Sequence, residues 1–86
     1  SPVVALNRVV ALSMVRGPGE ALEAMRLLEL EPALASYQYL WSTRADLLRR
    51  LGRPDEARSA YELALELAGN AAERDFLARR RDEMRT

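Results

Sequence analysis

An all-α fold of antiparallel helical hairpins, about five helices forming a fragment of a right-handed solenoid, is predicted by three observations. The chain nearly repeats itself: Arg16-Gly17-Pro18-Gly19-Glu20-Ala21 returns without a gap as Gly52-Arg53-Pro54-Asp55-Glu56-Ala57, 36 positions on. The same offset pairs Arg8 with Arg44, Leu12 with Leu48, Ala24 with Ala60 and Met25 with Tyr61, so small, large and charged residues recur in order. Within each stretch the apolar residues keep helical spacing. A unit that repeats at this length on a helical period stacks on its neighbours to bury its apolar face.

The elements follow in order. From Val3 to Arg16, Leu6, Val9, Val10 and Leu12 keep helical spacing, and Gly17-Pro18 stops that run while starting the next. The second helix, about Gly19 to Leu30, places Ala21, Leu22, Met25 and Leu28 on one face, and Glu31-Pro32 marks its exit. Ser36 is the expected cap of a third helix, roughly Tyr37 to Leu51, which turns Leu40, Trp41, Ala45, Leu48 and Leu51 inward. Gly52 supplies the left-handed residue that ends it. Pro54-Asp55-Glu56 opens the fourth helix, with two carboxylates where the helix dipole favours negative charge. That helix ends near Ala68-Gly69, and Asn70 with Glu73 forms a capping box for a fifth helix running to about Arg85. Its buried stripe is expected to be Phe76, Leu77, the methylenes of Arg80, and Met84. Being polar elsewhere, this helix suits the shielded end of a solenoid. At the other end Val3, Val4 and Leu6 are expected to be exposed, so either another helix packs there or a homodimer forms through it. The reading is one domain over 1–86, with hairpins at about 3–30 and 36–68 and a capping helix at about 71–85.

Composition narrows the chemistry. Eighty-six residues fit one domain with a modest core, and the chain is expected to be part of a longer protein. Without Cys or His it has neither a disulfide framework, a thiolate metal site nor an imidazole base. No catalytic residue, cofactor or metal is expected, and the protein is read as not an enzyme. Glu62 and Glu66 share a helix face, yet nothing beside them completes an acid–base or metal site. The 13 basic side chains, all Arg, balance 13 acidic ones, which argues against a nucleic-acid groove. Arg79, Arg80, Arg81 and Arg85 interleave with Glu73, Asp75, Asp82 and Glu83 and read as a solvated helix surface. With no long apolar span, no membrane contact is expected and the location is read as cytoplasmic.

Gln38 to Ala71 resemble one tetratricopeptide repeat. Trp41, Ala45, Leu48, Gly52, Ala57, Tyr61, Ala64 and Asn70 fall where that repeat takes large, small, large, turn, small, aromatic, small and polar residues. Ala45 and Ala57 let two helix backbones approach while Trp41 and Tyr61 fill the gaps beside them. The departures are Arg44, where an apolar residue is usual, and Gly69, where the repeat ends in Pro. In the first hairpin Ala5 replaces the large aromatic, so that repeat is degenerate.

Three runs, Ser1 to Arg8, Asp46 to Arg53 and Gly69 to Arg74, resemble the C-terminal extension of a group of bacterial extracytoplasmic-function sigma factors. The resemblance implies an interaction or regulatory domain of an alternative sigma factor that directs RNA polymerase in transcription initiation. Its implied partners are the sigma regions of the parent chain, RNA polymerase, or both, with promoter DNA bound by sigma regions that this stretch does not contain. The alternatives are a stand-alone peptide-binding adaptor and a small-ligand sensor with a pocket between the hairpins.

On a tetratricopeptide repeat the first helix of each hairpin lines the concave groove. That register implies a groove of Tyr39, Ser42, Thr43, Asp46, Arg49 and Arg50, continued by Asn7, Val10 and Met14. Asn7, Tyr39, Thr43, Asp46, Arg49 and Arg50 are therefore the candidate protein-binding residues. The competing reading is a solvated face on which Asp46 and Arg50 make an i,i+4 pair. Arg8 and Arg44, structural or binding, each precede a glutamate by twelve residues, Glu20 and Glu56, so a repeated tie across the hairpin is expected.

Overall fold

Prolines and glycines divide the chain into five helices in the computed structural model, which describes residues 1–84. They are α1 (Pro2–Arg16), α2 (Pro18–Met25), α3 (Gln38–Arg50), α4 (Pro54–Glu66) and α5 (Ala71–Glu83), with no strand among the described residues. Pro2, Pro18 and Pro54 each open a helix, where a missing N–H forfeits no intrahelical bond. The expected extension of α5 to Arg85 lies outside the described residues.

Two glycines make the hairpin turns possible. Gly52, at φ 72°, closes α3: its N–H donates to the Arg49 carbonyl and the Arg53 N–H to the Leu48 carbonyl, both at 3.0 Å. Gly17, at φ 91° and ψ 169°, lies in a region that essentially only glycine adopts. Gly17→Ala should therefore cost about 1–3 kcal/mol in urea unfolding. Gly19→Ala, inside α2 with its new methyl in ordinary contact 3.9 Å from Leu51, should leave stability unchanged or raise it.

Two helix ends differ from expectation. The α-helical winding of α2 stops at Met25, and 3-10 turns at Leu28–Leu30 and Pro32–Leu34 replace the last part of the expected helix. Pro32 has no N–H to give the Leu28 carbonyl, so the Glu31 N–H takes it at 3.1 Å and the chain tightens. Ser36 does not cap α3, which starts after Tyr37 without a side-chain cap. The turn is instead held by the Trp41 indole N–H, which donates to the Ala35 carbonyl at 3.1 Å. At α5 the Asn70 side-chain Oδ1 accepts from the Glu73 N–H at 2.8 Å, and the Glu73 carboxylate accepts from the Gly69 N–H, also at 2.8 Å. This is a capping box displaced by one residue on its return arm.

The helices pack in succession, α1 on α2, α2 on α3, α3 on α4 and α4 on α5. α3 has two apolar faces. Leu40 and Leu47 join Leu6, Val9, Ala21, Met25 and Leu34 in one cluster. Ala45 and Leu48 join Ala57, Ala60, Tyr61, Ala64 and Leu77 in the other. The alanines bring α3 and α4 close, as their small side chains require. Leu6, expected to be exposed, is fully buried, in one cluster with Met25 and Leu40 of the neighbouring helices. Leu51, expected inward, is 36% exposed at the end of α3.

Candidate protein-docking groove

On α3, Tyr39, Ser42, Thr43 and Asp46 follow the i, i+3, i+4, i+7 spacing that puts side chains on one face. α1 brings Val10 and Ser13 to that face, α5 brings Phe76 and Arg80, and Tyr61 of α4 and Leu47 complete the walls. The open concavity is about 250 Å³.

Its charged edge is built on Asp46, whose carboxylate accepts from Arg49 at 2.6 Å and lies 3.9 Å from Arg50. The Arg49 guanidinium holds its proton more tightly than usual, chiefly through this hydrogen bond, with burial opposing. Its Nε is buried without a protein partner. Arg50 also donates to the hydroxyl and the carbonyl of Ser13, each at 3.3 Å, and so ties α3 to α1. The Ser13 hydroxyl donates to the Val10 carbonyl at 2.6 Å. Across the groove the Arg80 guanidinium sits 5.4 Å from the centre of the Phe76 ring, a cation–π arrangement, and pairs with Glu83 at 3.3 Å. Burial pushes the Tyr61 hydroxyl above its ordinary pKa, with Arg49 pulling it back. The groove thus joins an apolar floor to a charged edge of Asp46 and Arg80, with Arg49 and Arg50 behind Asp46, suited to an apolar side chain flanked by polar groups.

Tyr39, Thr43 and Asp46 come together in this groove, and Arg49 and Arg50 stand behind Asp46. Asn7 is exposed on α1 and outside the lining, as is Met14, which is 79% exposed. Ser13, Leu47, Tyr61, Phe76 and Arg80 belong to the groove and were not among the candidates. Phe76, assigned to the core stripe of α5, is 47% exposed, and only Leu77 of that helix is fully buried. The i,i+4 spacing of Phe76 and Arg80 was the available signal for this shared face.

The expected Arg-to-Glu ties take another form. Arg44 pairs with Glu29 at 3.2 Å, both partly buried, while Glu56 pairs with Arg53 at 2.7 Å. The tie therefore joins successive hairpins rather than the two arms of one. Arg8 is exposed and has no ion pair with Glu20 or any other carboxylate among the described residues. Arg44→Ala should lower stability by about 1–2 kcal/mol, between the values of exposed and buried pairs. Arg8→Ala in this chain should stay within about 0.5 kcal/mol, both read by thermal melting.

A succession of antiparallel helical hairpins with a side-chain-lined groove defines a helical-repeat interaction module. Residues 38–71, which span α3 and α4, match the tetratricopeptide repeat family, whose presence suggests a protein–protein interaction role. An uncharacterized protein of Rhizobium meliloti (strain 1021) is 42% identical over 84 residues, covering 98% of this chain and 19% of that protein. The chain thus spans about a fifth of the length of the curated relative it matches. No solved structure matches the chain. Among the described residues no group of three or more His, Cys, Asp or Glu side chains is placed to hold a metal ion, and no helix is long and apolar enough to cross a membrane.

Proposed function

We propose that this is a protein-interaction and regulatory domain of an extracytoplasmic-function sigma factor, acting on transcription initiation through a segment docked in the groove. The observation that carries the reading is a coincidence of residues. Asp46, on the charged edge of the groove, and Arg49 and Arg50 behind it all lie in the Asp46 to Arg53 run that bears the most specific sigma-like resemblance. The partners are the sigma regions of the parent chain, core RNA polymerase, or both, which places the protein in the cytoplasm. Promoter DNA is bound outside this domain, consistent with its balanced charge.

Titration calorimetry of the purified domain against the sigma regions of its parent, and separately against core RNA polymerase, tests the proposal. Binding to the sigma regions supports intramolecular switching, and binding to polymerase supports an added holoenzyme contact. In either case Asp46→Ala and Arg50→Ala should each weaken binding while leaving helical content intact. No binding by the folded domain in both titrations would overturn the sigma reading in favour of a peptide-binding adaptor.

A further inference from the structure

The internal repeat shows what the outer face of α1 is built to receive. At the offset of 36, Val4, Asn7, Arg8 and Ala11 of α1 correspond to Leu40, Thr43, Arg44 and Leu47 of α3. On α3 three of these positions, Leu40, Arg44 and Leu47, are covered by the preceding hairpin, while Thr43 turns to the groove. Leu40 and Leu47 are 0% and 1% exposed, packed with Met25 and Leu34, and Arg44 takes the Glu29 carboxylate. On α1 the same positions lie open, Val4 at 48%, with Asn7, Arg8 and Ala11 exposed beside it. α1 is thus apolar on two sides, like α3, but only one side is filled.

We propose that in the parent protein a further helical hairpin preceding Ser1 covers this face. Its second arm lays an aliphatic stripe on Val4 and Ala11 and turns a carboxylate to Arg8, as the α2 arm does for α3. The continuity is with an interface already present in the molecule, repeated one unit earlier. A second copy of the chain fits less well. α1 contains no acidic residue, so two such faces would bring guanidinium groups together with no carboxylate between them. In the Rhizobium relative the matching stretch fills only 19% of the protein, so that chain has ample further sequence for such a hairpin. The inference does not depend on the sigma reading.

Thiol labelling in the parent protein tests it, with Ala11→Cys as the reporter and labelling located by peptide mass mapping. Ala11→Cys should react at least ~10-fold more slowly in the native protein than in urea, as local opening would then be required. Val4→Cys, which shortens the side chain instead of enlarging it, should behave alike and stands in if Ala11→Cys fails to fold. Arg8→Glu should accelerate labelling of the native protein, and Arg8→Lys, which keeps the charge, should not. Labelling as fast as in urea at both positions would overturn the proposal. Protection lost on dilution, together with sedimentation as a dimer, would overturn it in favour of a second copy.

Discussion

Leu48→Ala is expected to cost about 2–5 kcal/mol, the range for truncating a fully buried leucine in a core that cannot close the gap. Leu48 is 0% exposed and packs among Ala45, Ala57, Tyr61 and Leu77, at the seam of three helices. Its neighbours on α3 and α4 include Ala45 and Ala57, which have no rotamers with which to fill a cavity. The helix backbones are already close, so collapse would have to move whole helices. A small domain holds about 5–15 kcal/mol in total, so this one change removes a large share. Urea unfolding checks it. Leu12→Ala at the equivalent position in the first hairpin should cost less, because Leu12 is only partly buried. A loss below about 1 kcal/mol for Leu48→Ala would mean that the seam between α3 and α4 is looser than the burial implies.

Phe76→Ala should act in the opposite sense, on binding and hardly on folding. The ring is 47% exposed, lines the groove and has the Arg80 guanidinium over it, which are the attributes of an aromatic anchor awaiting a partner. Loss of such an anchor typically costs about 2 kcal/mol or more, so affinity for the partner found by calorimetry should fall by about 30-fold. Stability should change by less than about 1 kcal/mol, since little apolar area leaves a buried site. The reverse pattern, with affinity retained and melting strongly lowered, would return Phe76 to the core and remove α5 from the groove.

Much of the architecture was legible residue by residue, because its signals are local. Pro18 and Pro54 open helices wherever the chain places them, Gly52 ends α3 through bonds spanning six residues, and Asn70 caps α5 within one turn. The alanines at 45, 57, 60 and 64 announce a close helix crossing by their size alone, and all four are buried. On the candidate groove, helical spacing groups Tyr39, Thr43 and Asp46 on one face of α3, and all three line the same concavity.

Helical periodicity says which side chains share a face, but not which element comes to lie against that face. Arg44 had Glu56 and Glu29 available by charge, and the packing of the α2 arm on α3 decided for Glu29. α5 is polar enough that its rotation is weakly encoded, and seating Leu77 in the core turned Phe76 outward. The groove itself joins Ser13, Asp46, Tyr61 and Arg80, drawn from four helices, so no local pattern could assemble it. Helices, their ends and the small-residue seam follow from interactions along the chain. Partner choice and the shape of the groove arise only when separate apolar faces compete for burial at once.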